Sequence, residues 1–592
     1  MKIKRLAFIS FWILLFFISK NEVLGQKVDP TWESIEARGY PQWFSDAKLG
    51  IFVHWGLYSV PSYSGKEQYA EWFCRGLMAG DSARINFQKQ VFGEDFQYED
   101  YASLFKGELF NADEWAQLFA DAGARYVLLV SKHHDGFCLW NSTQKPYFNS
   151  VITGPKRDVV GELTHAVRNK GLKMGLYYSL AEWTNPLHRW YIDNPDSISN
   201  YVDNYMIPQF KELVSTYKPS VIFSDGEWLN SAEQWHAEEL IAWYYNEVGE
   251  EAIVNDRWGH GAKHGYRTPE YSAGISITDR PWAECRGLGR SFGLNRNEPL
   301  ANYVTSEELI QHFVKLVAAG GGMTLNVGPA ADGQIPLLQQ ERLLDLGNWL
   351  KINGEAIYGS KPYEHFYEQK RFEMTRIDSN INFNWVRNAP DKNLTYDNFD
   401  VEWTGELIAP ASGKFQFSAK VDDYLYLQIG EQVLINNWVD TMRAGKHGSD
   451  NTLSLSGEIM LTAGKIYPIL VKYREVDLEA RVQLFWSYQD KEREIIPSSA
   501  FKNGLLGRYS CMKPYVAYTT QEDKVYAIAL EFPDEKLSLS LPKPNADAKV
   551  YLLGKKEPIP WRYKEGKLHI LTQNIKYSEV KSKGAWSFSI EY

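Results

Sequence analysis

From about residue 30 to 360, short apolar runs that read as strands alternate with amphipathic stretches that read as helices. Nothing else in the chain narrows its fold as much. Strands are expected at 49–53, 126–130, 174–178, 221–223, 252–254 and 323–327, and helices at 112–122, 163–169, 204–216, 232–246 and 307–318. Near-continuous apolar strands are buried on both faces, and helical crossovers make them parallel. Such repetition favours a (β/α)8, TIM-like barrel over a sandwich. A doubly wound sheet would carry a Gly-rich phosphate turn after its first strand. Here that strand ends in His54-Trp55-Gly56. The fold class expected is α/β, a barrel followed by all-β domains.

After Tyr358-Gly359 the texture changes to alternating strands broken by Gly, Asp and Asn. Segments 405–407, 413–417 and 424–429 read as hairpin strands, and a last all-β stretch runs from 509 to 592. A chain of 592 residues exceeds what one core serves. The organisation expected is 1–25 signal peptide, 26–364 barrel, 365–502 β module and 503–592 terminal β-sandwich.

Lys2, Lys4 and Arg5 precede thirteen residues, Leu6 to Ile18, in which Ser10 alone is polar. Small residues follow near Gly25, the pattern of a signal peptide. The run is short for a membrane span, which needs about 20 residues. The protein is therefore expected to be exported, periplasmic or secreted, and free of the membrane after cleavage; an uncleaved anchor is the alternative. No Cys precedes Cys74, so a lipid at the cleavage site is excluded.

Net charge is −10 with no basic block, which argues against a nucleic-acid partner. The four cysteines show no metal-site spacing and read as buried thiols, although a pair could meet in space. No metal or cofactor is expected. With 21 Trp and 36 Tyr, aromatics either line a sugar site or belong to the all-β domains.

Polar and aromatic clusters follow the barrel strands: His54-Trp55-Gly56, Lys132-His133-His134-Asp135-Gly136-Phe137, Tyr177-Tyr178-Ser179, Ser224-Asp225-Gly226-Glu227-Trp228 and Asn255-Asp256-Arg257-Trp258. In a barrel these ends converge on one mouth. Zinc motifs, a P-loop and a serine elbow are absent. Carboxylates with His, Arg, Tyr and Trp suit glycoside hydrolysis, which needs two carboxyl groups. Asp225 is either such a carboxylate or a turn and capping residue.

At these residues the chain resembles glycoside hydrolase family 29, the α-L-fucosidases. The likeness extends to Trp43-Phe44, Glu71-Trp72, Gly320-Gly321-Gly322 and Leu325-Asn326-Val327-Gly328-Pro329, and to a small C-terminal β-sandwich at 509–592. It implies that Asp225 is the nucleophile. It implies that His54, Glu71, Trp72, His133, His134, Tyr177 and Arg257 hold the fucose, with Phe223 an apolar wall near its methyl group. Either Tyr177 or Tyr178 presents the phenol. For a strand-end His the plain alternative is a loop cap, and for Trp72 it is core packing.

Thr268-Pro269-Glu270-Tyr271 resembles the acid/base segment of several bacterial members, which makes Glu270 the choice. Other members carry a Trp-Glu-x-Cys segment. Here it reads Trp282-Ala283-Glu284-Cys285, leaving Glu284 an alternative one position on, with Glu71 a further one. The mechanism implied is retaining double displacement, with carboxyl groups about 5–5.5 Å apart and split pKa values.

Residues near 365–502 resemble the domain named for anthrax protective antigen, through Asp397-Asn398-Phe399, Val401-Glu402-Trp403-Thr404-Gly405, Asp422-Asp423 and Asn436-Asn437-Trp438. Members often bind carbohydrate, some through calcium on paired Asp. Two carboxylates fall short of the 6–8 oxygens that calcium takes, and Tyr424 replaces the Gly that usually follows the pair. A spacer and a glycan binder both remain open. The activity expected is exo-acting removal of terminal α-L-fucose, with fucosylated glycans or glycoconjugates as partners and the oligomeric state open. The alternatives are a related glycosidase such as an α-L-galactosidase, and a non-catalytic fucose-binding barrel.

Overall fold

The computed structural model describes residues 27–592 apart from 67, 189–194, 272–278, 387–388, 392, 396, 439–452 and 477–479. The expected signal peptide lies outside the described residues. Seven parallel strands form the first sheet: β1 Leu49–Val53, β2 Tyr126–Lys132, β3 Lys173–Ser179, β4 Val221–Asp225, β5 Ile253–Val254, β6 Ala283–Gly287 and β7 Gly322–Val327. Their spatial order is β5-β4-β3-β2-β1-β7-β6. Residues 266–270 close the remaining gap, through parallel bridges from Tyr266 to Asn255 and from Glu270 to Cys285. The barrel departs from strict strand-helix repetition here, since no helix lies between β5 and β6 among the described residues.

Side chains alternate across this sheet because successive Cβ atoms of a strand point to opposite faces. Phe52, Leu128, Val130, Tyr177, Phe223, Tyr266, Ala283 and Cys285 fill the barrel interior. Their neighbours Ile51, Leu129, Leu176, Tyr178 and Ile222 pack outward with the helices. The helix Ala112–Asp121 is capped by Asn111, whose side chain accepts from the N–H groups of Asp113 and Glu114, satisfying two of its orphan donors. Helix Ser306–Ala318 begins with a capping box of Thr305 and Glu308, and turns Leu309, Phe313 and Val317 inward. Strand β6 and the closing segment were not among the sequence-derived strands.

The β half is built on one long ribbon. Strands Lys361–Asp378 and Phe501–Gln521 pair antiparallel along their length. The domain limits expected at 364/365 and 502/503 thus fall inside continuous strands. Between them sits a two-sheet module with its own core, including Trp403, Phe415, Phe417 and Trp486. Tyr424–Ile429, expected as a hairpin strand, pairs with Gln432–Asn436. Phe399–Ile408 and Gly413–Val421 do not pair with each other, because the chain crosses between sheets there. The ribbon's other end pairs with Lys524–Ala529, which begins the terminal sandwich. That sandwich docks on the barrel through Ala517, Tyr526, Ile528 and Leu530, and Trp349 donates to the Ala585 carbonyl at 2.9 Å.

Candidate active site

A pocket opens among the C-terminal strand ends. It is lined by His54, Glu71, Trp72, His133, Tyr177, Phe223, Asp225, Arg257 and Glu270, all expected from sequence. His134 stands just behind, with Nε2 3.5 Å from Asp225 Oδ2.

Strand β4 aims the central carboxylate. Phe223 and Asp225 share its inward face, while Ser224 turns outward and donates to Asn255 Oδ1 at 2.8 Å. Gly226 follows at φ 79°, and a Cβ there would stand 3.0 Å from His134 Nδ1, so only glycine suits the turn. Arg257 Nη1 donates to Asp225 Oδ1 at 3.1 Å, and Tyr177 donates to Oδ2 at 2.9 Å. Burial alone would raise the Asp225 pKa, but Arg257, His134 and Tyr177 overcome it and hold the carboxyl well below its ordinary range. Asp225 is thus an ionised carboxylate at the centre of the pocket. Tyr178, by contrast, points away and donates to Gln209 Oε1 at 2.9 Å.

The same guanidinium reaches a second carboxylate. Arg257 Nη2 donates to Glu270 Oε2 at 3.2 Å, while Nε donates to Thr268 Oγ1 at 3.1 Å. Tyr69 donates to Glu270 Oε1. Alternation along 266–270 brings Glu270 inward with Tyr266. Glu284 is a correction to the sequence reading. It lies between inward-facing Ala283 and Cys285, so it points out of the barrel and pairs with His312 on the helix Ser306–Ala318. It does not line the mouth.

Two histidines serve as neutral polar groups. Burial lowers the His54 pKa to about 4. Asn326 Nδ2 donates to the Phe292 carbonyl, so its oxygen faces His54 Nδ1 at 2.6 Å. That assigns the proton to Nδ1 and leaves Nε2 as an acceptor. His133 is likewise driven well down by burial. Glu71 is buried and its pKa rises to about 7, chiefly by desolvation, although Oε2 accepts from the Gly293 N–H at 2.8 Å. Glu227, two residues after the nucleophile, is also raised to about 7, by burial and then by Asp225.

The wall behind His134 is fixed from outside the barrel. Lys132 Nζ donates to Glu182 Oε1 at 2.8 Å and to Gln209 Oε1 at 2.9 Å, and Lys145 reaches Glu182 Oε2 at 3.0 Å. Two cations and several hydrogen bonds compensate this buried carboxylate, the condition under which a buried pair is tolerated. The next residue, Trp183, donates its N–H to the His134 carbonyl at 2.8 Å and packs on Trp72.

Sequence reasoning missed Tyr69, Cys285 and Phe292, and gave no role to Phe52 or Trp228; all five line the pocket. Tyr69 and Phe292 sit on loops, where no strand-end signal exists. The four cysteines are buried and free. In the inserted module Asp423 accepts from the Val476 N–H at 2.7 Å.

Three family models match the chain: Alpha-L-fucosidase over residues 15–355, PA14 domain over 360–500, and Alpha-L-fucosidase C-terminal domain over 510–591. The chain is 42% identical over 367 residues to an alpha-L-fucosidase of Dictyostelium discoideum, covering 59% of this chain and 79% of that protein. It is 40% identical over 365 residues to the tissue alpha-L-fucosidase of Rattus norvegicus, covering 60% and 78%. Among solved structures, the Thermotoga maritima alpha-fucosidase in complex with a mechanism-based inhibitor superposes with a TM-score of 0.62 at 27% identity, over 95% of this chain and all of that one. The first of those family models runs through every residue of the pocket, and the chain belongs to the α-L-fucosidase family.

Proposed function

We propose that this protein is an exported, exo-acting α-L-fucosidase that removes terminal α-L-fucose from glycans by retaining double displacement. One observation carries the mechanism: Asp225 is held ionised on the same guanidinium that reaches Glu270. A single guanidinium bonded to both carboxyls sets them together in the pocket, as a mechanism that uses one to attack the sugar and the other to serve its leaving oxygen requires. Glu270 gives its proton to the departing oxygen while an Asp225 oxygen bonds to the anomeric carbon. Glu270 then takes a proton from water, whose oxygen displaces Asp225 and frees fucose. His54 Nε2 accepts from a sugar hydroxyl, and Phe52 and Phe223 offer an apolar surface to the sugar's methyl group. The positive, apolar and small residues of the first 25 positions support export.

Glu71 is a second reading for the acid, favoured by its pKa of about 7. Against it, Glu71 is buried and already accepts from Gly293 and Ser291, whereas Glu270 is partly exposed beside Tyr69. Turnover of 4-nitrophenyl α-L-fucoside tests both assignments. Asp225→Ala is expected to lose at least about a thousandfold in kcat. Glu270→Ala is expected to regain turnover with azide, giving α-L-fucosyl azide. Rescue of Glu71→Ala instead would move the acid/base role to Glu71. Wild-type protein that binds fucose but turns over neither aryl nor natural fucosides would leave a sugar-binding barrel.

A further inference from the structure

Tyr271 follows Glu270 with φ at 53°, a backbone conformation that a bulky residue adopts only when its surroundings impose it. Two hydrogen bonds from the phenol do so. The hydroxyl donates to the Gly289 carbonyl at 3.0 Å and accepts from the Gly287 N–H at 2.9 Å. On the backbone, the Tyr271 N–H donates to the Cys285 carbonyl at 3.2 Å, and the Cys285 N–H donates to the Pro269 carbonyl at 2.9 Å. The residues on both sides of Glu270 are thereby stitched to β6.

The ring itself is buried. It meets Phe292 edge-on at 5.4 Å and lies 5.6 Å from the Arg286 guanidinium. Burial raises the phenol's pKa, so it keeps its proton and can donate. Gly287 is matched to it, since a Cβ there would stand 2.6 Å from the hydroxyl oxygen. Tyr271 does not line the pocket, and its hydroxyl is committed to the end of β6 and the loop after it. The Glu270 carboxylate, in contrast, is held through the side chains of Tyr69 and Arg257, and Arg257 is shared with Asp225.

We infer that Tyr271 is a positioning residue for the first displacement: its two-point clamp on the end of β6 and the loop that follows fixes the turn from which the Glu270 carboxyl meets the departing oxygen. The inference rests on the reading of Glu270 as the acid/base. Aligning the acid matters only where the leaving group needs a proton, whereas general damage to the pocket would slow every substrate.

The test compares kcat/KM, which reports the steps through the first displacement, for two substrates. Phenyl α-L-fucoside has a poor leaving group and 2-chloro-4-nitrophenyl α-L-fucoside a good one. Tyr271→Phe keeps the ring and removes only the hydroxyl. It is expected to lower kcat/KM about tenfold for the phenyl fucoside and less than about twofold for the other. An equal loss on both substrates, or none on either, overturns the inference. Glu270→Ala serves as the reference. A selective loss there beside an unselective Tyr271→Phe overturns the inference alone, while an unselective loss in Glu270→Ala overturns the acid/base reading and the inference with it.

Discussion

Asp225 and Glu71 are both buried at the mouth, yet they are driven in opposite directions. Asp225 has Arg257, His134 and Tyr177 to stabilise its charge, and these outweigh desolvation. Glu71 has two backbone N–H groups, those of Gly293 and its own, and a serine, with Glu270 nearby, and desolvation wins, from 4.5 to about 7. A carboxyl raised on folding favours the folded state at low pH, and that advantage is lost as pH climbs from about 4.5 through 7. At about 1.4 kcal/mol per unit the loss reaches about 3 kcal/mol. Glu71→Gln cannot titrate. The melting temperature of Glu71→Gln relative to wild type is therefore expected to rise between pH 5 and pH 8. The same difference at both values would contradict the raised pKa. At this scale much of the site was legible, because strand-end residues carry it. Glu284 was misread only because β6 went unrecognised; once Ala283 and Cys285 are inward, alternation sends Glu284 out. Tyr69 and Phe292 were not legible, since loops bring them to the pocket from no periodic pattern.

Among the elements, β1 to β5 and β7 announce themselves as apolar runs, whereas β6 carries Glu284 and Arg286 on its outer face and does not. Glu284 meets a tertiary partner, His312, which no local pattern reveals. The ribbon is similar. Lys361–Asp378 is half charged or polar and exposed, and only its pairing with Phe501–Gln521 makes it one strand. Because the inserted module hangs from this ribbon and none of its described residues lines the pocket, it should be separable from catalysis. Lys370 pairs with Lys513, so replacing residues 371–512 by Asn-Gly gives a two-residue turn of the kind that suits antiparallel strands. Turnover of 4-nitrophenyl α-L-fucoside by this variant should stay within about twofold of wild type, as expected when transition-state contacts are unchanged. A collapse of kcat with the barrel still folded would mean that the module shapes the mouth.

On the scale of the whole molecule, the barrel, the inserted module and the terminal sandwich each have an apolar cluster, but the sandwich shares its inner strands with the barrel's core. Helices Ser306–Ala318 and Leu337–Asn353 lie between the two, on the flank of the barrel rather than at its strand ends. This leaves the mouth to the loops that follow β1 to β6, where the chemistry gathers. Barrel and β domains were legible as changes in periodicity; the continuous ribbon was not, because strand pairing across more than 100 residues leaves no local trace. Retaining double displacement requires that Asp225 bond covalently to the sugar. Incubation with 2-deoxy-2-fluoro-α-L-fucosyl fluoride, followed by intact-mass measurement and peptide mapping, tests it most directly. One fluorofucosyl adduct per chain is expected, on Asp225. An adduct on another residue, or no adduct while α-L-fucosides are hydrolysed to fucose of inverted configuration, would contradict it.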